Sequence, residues 1–470
     1  MDRESVSRLG LIIGPILFAI ILSLPSDMSF QAKAVLAITA WMATWWVTEA
    51  IPIYGTALLP LILFPLFNVA TLQQLAGSYA DRIIFLFLGG FILAAAIERS
   101  GLHERIALRT IRTFGTSPRS IVAGFMITTA FISAWISNTA TAIMMLPIAA
   151  SIITQVKENE RKRFGTCLML CVAYSASIGG MATLVGTPPN AIFASLSKSL
   201  ADVDISFGQF MLVGVPISAV SLAFIGWYMV NFGARISREP IVEGKVILLE
   251  RLKILGSLTR KEKIVAAVFA STAAAWISRG LVWGDLVPMV DDSVIAIFAA
   301  VTLFILPAGK ERVMDWGSAM KIPWGVLLLM GGGLALASGF TLTGLDKWIA
   351  EQFVTMGVAN IVSVIASLVG VTIFSGEIMS NTAGAALIIP VAASIAEPLS
   401  INPIMLMLPV ALATSFDFIL PTGTPPNAIV FGSGYVTVRQ MARAGIALDF
   451  FGIVIVTLLS LLLAPAVFGT

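Results

Sequence analysis

The chain has 470 residues, 58% hydrophobic and only 12% charged, with a mean hydropathy of +0.95 and a net charge of +3. So few charges cannot keep a folded surface of this size wet, which excludes a soluble globular domain and points to an all-α polytopic membrane protein. The small positive excess is scattered along the chain, which excludes a nucleic-acid footprint.

Crossing a hydrocarbon core of ~30 Å takes about 20 apolar residues. Met1 to Arg8 is polar, and the run 9–25 after it reads as a retained first span. Further candidate spans are 33–49, 53–67, 82–98, 165–197, 209–232, 263–278, 289–307, 323–342, 404–435 and 445–467. Trp41, Trp45 and Trp46 read as interface anchors or inter-subunit packing. His103 stands alone and cannot make a metal site. Cys167 and Cys171, one helical turn apart, read as buried small hydrophobes. The basic segment 235–263 reads as a cytoplasmic connector, either a membrane-surface helix or a solvated linker.

Two more apolar stretches, 120–154 and 357–396, are too long for one span, and each carries a polar tripeptide near its middle. The tripeptides are Ser137-Asn138-Thr139 and Ser380-Asn381-Thr382. Two half-helices meeting at a polar tip, a re-entrant hairpin, fit this pattern. The spans 165–197 and 404–435 are broken in turn by Gly186-Thr187-Pro188-Pro189-Asn190 and Gly423-Thr424-Pro425-Pro426-Asn427. Glycine lets the chain turn and proline removes a donor. Lipid does not tolerate unpaired backbone, so breaks at membrane depth line a protein-enclosed cavity.

The polar interruptions belong to an internal repeat. Leu88-Gly89-Gly90 with Gly101-Leu102 matches Met330-Gly331-Gly332 with Gly344-Leu345, and the stretch from Ser137 to Pro147 matches that from Ser380 to Pro390. The separation between matched residues is nearly constant. With a cytoplasmic N-terminus and hairpins that return to the side they entered from, all of the 29 lysines and arginines but Lys33, Arg82, Lys198, Arg279 and Lys347 fall in cytoplasmic segments. That is the bias of the positive-inside rule. The first hairpin then opens from the cytoplasm and the second from outside. Inverted repeats with duplicated helix breaks point to a secondary transporter with alternating access.

The tips and breaks offer hydroxyls, amide oxygens and free carbonyls, which suit a hard monovalent cation such as Na⁺, while orphan amides at the helix N-termini suit an anion. No Lys, Arg or His occurs in 120–156, 164–197 or 355–438. A dianion there would meet only dipoles, so bound cations would supply the missing positive charge. Intramembrane acids are functional by default. One reading of Glu377 and Asp417 is that either carries a proton or helps a cation. The favoured one is that Glu377 holds the hairpin in shape by accepting hydrogen bonds, and that Asp417, placed in the last helix before the second break, does likewise or faces a vestibule. An intramembrane enzyme is the least favoured class. Asp417 is read as having no second membrane aspartate, and His103 is far from both tripeptides.

These residues resemble the divalent anion/sodium symporter family, whose members carry dicarboxylates, citrate or sulfate. Thr414-Ser415-Phe416-Asp417-Phe418-Ile419-Leu420-Pro421, running on to Asn427, looks like that family's sodium:sulfate-symporter signature. The resemblance covers essentially the whole chain. It implies eleven transmembrane helices, two re-entrant hairpins, a homodimer in the cytoplasmic (inner) membrane, and elevator motion of a transport domain. The implied organisation is scaffold helices at 1–119, a first transport half at 120–208, a connector with the second scaffold at 209–356, a second transport half at 357–444 and a terminal helix at 445–470. A first sodium site is implied at Ser133, Ser137, Asn138 and Gly186, and a second at Gly376, Met379, Asn381 and Gly423. Substrate contacts are implied at Ser137, Asn138, Thr139, Thr187, Pro188, Ser380, Asn381, Thr382, Thr424 and Pro425. The expected activity is sodium-coupled symport of a C4-dicarboxylate. The alternatives are a sodium-independent dicarboxylate or citrate exchanger and a sodium:sulfate symporter.

Overall fold

The computed structural model describes residues 3–115, 117–234, 236, 252–355, 360–396 and 398–469. The part of the expected connector at 235 and 237–251 lies outside the described residues. Among the described residues the regular structure is helical, apart from a short ribbon pairing Pro307–Ala308 with Glu311–Arg312.

Among the described residues five helices are long and apolar enough to cross a membrane: Glu4–Ser23, Leu72–Ser100, Phe207–Gly233, Trp324–Thr343 and Val438–Phe468. Several other predicted spans appear as shorter helices. The run 53–67 forms Ile53–Thr56 and Leu59–Leu66, with Pro52 before the first and Pro60 in the opening turn of the second. The last helix begins at Val438, ahead of the predicted 445, because Thr437 and Gln440 form a capping box there.

Both expected hairpins form. The first consists of Pro118–Ser133 and Asn138–Ile153, the second of Ile361–Gly376 and Asn381–Ala396, and each arm has 16 residues. At 1.5 Å per residue an arm is about 24 Å long, short of a full crossing. Both expected breaks form as well. Glu158–Gly180 unwinds at 181–187 before Pro188–Ala201, and Ile404–Ala413 unwinds at 414–424 before Pro425–Gly432.

Small residues allow the close approaches on which packing in lipid depends. A Cβ on Gly179 would lie 2.4 Å from the Ala130 carbonyl oxygen, so the first hairpin presses directly on the helix that leads to the first break. At the second break the cradle is the last helix. A Cβ on Gly445 would lie 2.2 Å from the Phe418 oxygen, and one on Gly452 would lie 2.5 Å from the Phe416 ring. Between them, Asp449 accepts the Phe418 amide at 3.2 Å. This face stabilises the unwound chain and accounts for the helix ending at Ala413.

The tryptophans differ from expectation. Trp46 is fully buried and donates to the Ile53 carbonyl, and Trp45 donates to the Gly10 carbonyl at 3.0 Å. Trp41 packs on Phe18 and Trp45. Trp45 therefore ties the helix Phe30–Thr48 to Glu4–Ser23 within one chain, and Trp46 ties it to Ile53–Thr56, because each indole N–H finds a backbone acceptor there. Cys167 and Cys171 are buried free thiols, as read.

Candidate functional site

Ser137 caps the inner arm of the first hairpin, its Oγ accepting the Ala140 amide at 3.3 Å. Asn138 opens that helix and turns its side chain back toward the outer arm. The Ser133 hydroxyl lies 2.7 Å from Asn138 Oδ1 and 2.6 Å from the Ala176 carbonyl oxygen. A hydroxyl has one proton, so three oxygens crowd around a single hydrogen. Gly180 and Gly186 close the cluster. A Cβ on Gly180 would lie 2.4 Å from Asn138 Oδ1, and one on Gly186 would lie 2.2 Å from the Gly180 oxygen. Ser133, Asn138 and Gly186 are thus brought together, with Gly180 as an additional neighbour, while the Ser137 hydroxyl serves as a cap.

The first break is held open by its own asparagine. Asn190 Nδ2 donates to the carbonyls of Gly180 and Thr183 at 3.2 and 2.7 Å, and Thr183 Oγ1 donates to Ala134 of the hairpin at 2.5 Å. The second break repeats the clamp. Asn427 Nδ2 donates to the carbonyls of Asp417 and Leu420 at 2.9 and 3.1 Å, and Thr424 Oγ1 accepts the Asn427 amide. Asn190 Oδ1 and Asn427 Oδ1 are both buried and without a hydrogen-bond partner.

At the second hairpin, Asn381 Nδ2 donates to the Thr414 carbonyl at 2.5 Å. Glu377 does accept hydrogen bonds, from the Ile419 and Leu420 amides at 2.8 Å each, so it ties the hairpin to the break. Gly376 lies against Asp417, and a Cβ on Gly423 would lie 3.0 Å from Glu377 Oε2. Gly376, Asn381 and Gly423 therefore converge on one break. Met379 is buried immediately ahead of the tip, its amide donating to the Ser375 carbonyl.

The two repeats interlock. The inner arm of the first hairpin packs on Pro425–Gly432, and the inner arm of the second packs on Pro188–Ala201. Ser137, Asn138, Thr139, Pro188, Ser380 and Asn381 are half-buried, Thr187, Thr382 and Thr424 are buried, and Pro425 is exposed. The assembly is rich in oxygen and amide dipoles and contains no side-chain cation, so it can bind a small metal cation at its oxygens and an anion at its helix N-termini.

Three features escaped the sequence reading. The asparagines of the Pro-Pro-Asn motifs clamp the breaks, and their duplication was the available signal. Asp417 lies inside the unwound stretch, since the helix ends four residues earlier. Asp449, buried in the last helix beside Glu377, is a second membrane aspartate, contrary to expectation. A lone acid in the apolar run 445–467 was its signal.

The family model for the sodium:sulfate symporter transmembrane region matches residues 4–468. The chain is 42% identical to the sodium-dependent dicarboxylate transporter SdcS of Staphylococcus saprophyticus, covering 98% of this chain and 92% of that protein. Identity to SdcS of Staphylococcus aureus strain USA300 is 40% over the same shares. Among solved structures, the Alcanivorax borkumensis YdaH transporter, described as having an unusual topology, aligns with a TM-score of 0.53 at 12% identity. It covers 98% of this chain and 97% of that one, a likeness of fold alone.

Proposed function

Because the chain belongs to the divalent anion/sodium symporter family, we propose that it is a secondary transporter coupling Na⁺ entry to uptake of a C4-dicarboxylate such as succinate, malate or fumarate. The observation that carries this reading is the interlocked pair of hairpin tips and unwound breaks, which presents oxygens and amide dipoles with no side-chain cation. A dianion leaving water for such a site needs positive charge beyond dipoles. Sodium bound in the two oxygen clusters supplies it, so substrate and cation stabilise each other's binding.

The first ion is assigned to Ser133, Ser137, Asn138 and the Gly186 carbonyl, the second to Asn381 with carbonyls of Gly376, Met379 and Gly423. The substrate carboxylates are assigned to the Ser-Asn-Thr tips, closed by Thr187-Pro188 and Thr424-Pro425. The names of the staphylococcal relatives favour a dicarboxylate over sulfate. A homodimer in the cytoplasmic membrane, with the hairpin halves moving against the scaffold, is part of the same proposal. The hairpin arms, too short to cross, support it.

Uptake of labelled succinate into proteoliposomes tests the reading. Accumulation driven by an inward sodium gradient is the expected result. Uptake that requires internal dicarboxylate and ignores sodium would show an exchanger instead. Asn138→Ala and Asn381→Ala should each raise the sodium concentration for half-maximal uptake about tenfold or more, the equivalent of about 1.4 kcal/mol. Unchanged sodium dependence in both well-expressed variants would reject their assigned role.

A further inference from the structure

Repeat symmetry isolates one residue that the reading above leaves without a role. Asp417 precedes Asn427 by the same ten residues that separate Gly180 from Asn190, and both backbone carbonyls accept from the clamping asparagine. At the first break, position 180 has no room for a side chain, and the hairpin supplies a hydroxyl from Ser133. Gly376 occupies the place of Ser133 in the second hairpin, five residues ahead of its asparagine. There a Cβ would lie 3.4 Å from Asp417 Cβ and 3.6 Å from Asp417 Oδ2. The side-chain oxygen has crossed from hairpin to break and has become a carboxylate.

Asp417 is 1% exposed, and both its carboxylate oxygens are buried without a hydrogen-bond partner. The neighbouring acids are engaged: Glu377 by the Ile419 and Leu420 amides, Asp449 by the Phe418 amide. The Asn381 side chain stands beside Asp417. No Lys, Arg or His lies anywhere in 355–438 to pair with it. A buried carboxylate with no counter-charge and no neighbouring donor beyond the Asn381 amide is strongly disfavoured, and a cation in front of it removes the penalty.

We propose that Asp417 is a direct ligand of the second sodium ion, which makes that site anionic while the first remains a neutral cluster of hydroxyl, amide and carbonyl oxygens. The proposal rests on the sodium-coupled reading and adds to it a difference between the two ions. The ion at Asp417 is held by a full charge and is the tighter of the two. The ion at Ser133 and Asn138 is held by dipoles alone, and binds more weakly.

The test uses the purified full-length transporter in detergent without dicarboxylate, melted across a range of NaCl concentrations with KCl holding ionic strength constant. Wild-type protein is expected to be stabilised by sodium and not by potassium. Asp417→Asn, similar in shape and uncharged, is expected to raise the midpoint of that stabilisation at least tenfold. A well-folded Asp417→Asn protein with the wild-type midpoint overturns the proposal and leaves sodium coupling standing. Wild-type protein with no sodium-specific stabilisation overturns both. Where the variant fails to fold, infrared difference spectra of wild-type protein in sodium against potassium serve instead. A sodium-dependent shift of a carboxylate stretch is expected. A spectrum without one, or a protonated-acid band indifferent to sodium, overturns the assignment.

Discussion

The two hairpin-and-break pairs arise from one repeated sequence, and they achieve the same junction with opposite chemistry. In the first repeat the break reaches out, with Thr183 Oγ1 donating to the Ala134 carbonyl of the hairpin. In the second the hairpin reaches out, with Glu377 accepting the Ile419 and Leu420 amides of the break. Asn138, held by the Ser133 hydroxyl, faces Gly180 in one repeat, and Gly376 faces Asp417 in the other. The asparagine clamps are common to both. What the repeat preserves is the need to satisfy unwound backbone in lipid. Which element supplies the partner is free to change.

The largest expected effect probes a contact that exists in one repeat alone. Arg105, on the helix Leu102–Thr113 that follows the span Leu72–Ser100, is buried against Glu262 at 2.7 Å and donates to the carbonyls of Leu255, Gly256 and Ser257. The matching position after Trp324–Thr343 is Trp348, which has no charge to make such a pair. Arg105→Ala should cost about 3–5 kcal/mol, because a buried carboxylate is left without its counter-charge and with only the Thr259 capping contacts. The pH dependence should also change sign. Burial works to raise the Glu262 pKa, but hydrogen bonds from the Arg105 guanidinium and Thr259 hold it below the usual range. Wild-type protein therefore gains stability above the ordinary glutamate pKa and loses it as the pH falls through the depressed one. With Arg105 gone, desolvation dominates and the melting deficit should narrow on acidification. A deficit independent of pH would dissolve the pairing.

Next come Gly186 and Gly423, which occupy equivalent places in the two breaks. A Cβ at 186 would meet a backbone oxygen at 2.2 Å, whereas one at 423 would meet the end of the Glu377 side chain at 3.0 Å. Gly186→Ala should fall at or beyond the top of the overpacking range of about 1–3 kcal/mol, and Gly423→Ala near its bottom. Equal melting temperatures for the two variants would mean that the breaks are packed alike after all.

The smallest difference is expected where the repeats agree. Asn190→Ala and Asn427→Ala each remove two hydrogen bonds to buried carbonyls, a loss of about 1–3 kcal/mol. Both should abolish succinate uptake while keeping the helical circular dichroism signal. An active variant of either would show that its break holds its shape without the clamp.

The hairpins, the breaks and the repeat were legible in the chain because each depends on local pattern. Ser-Asn-Thr interrupts a run too long for one span, and Gly-Thr-Pro-Pro-Asn cannot continue a helix. Residues whose role depends on what lies opposite were not legible. Nothing near Asp449 in sequence announces that Phe418 will offer it an amide, and nothing near Trp46 announces the Ile53 carbonyl.

The sequence by itself determined a helical membrane protein, its duplicated interruptions and the absence of basic side chains around them, since hydropathy, proline and charge act along the chain. The tertiary structure alone decided that Asp417 faces Gly376 with its oxygens unpartnered, that Glu377 serves the break, and that each hairpin packs on the other repeat's half-helix. Those outcomes are contacts between segments far apart in sequence. In a low-dielectric interior, a polar group's role is set by whichever partner folding brings within reach.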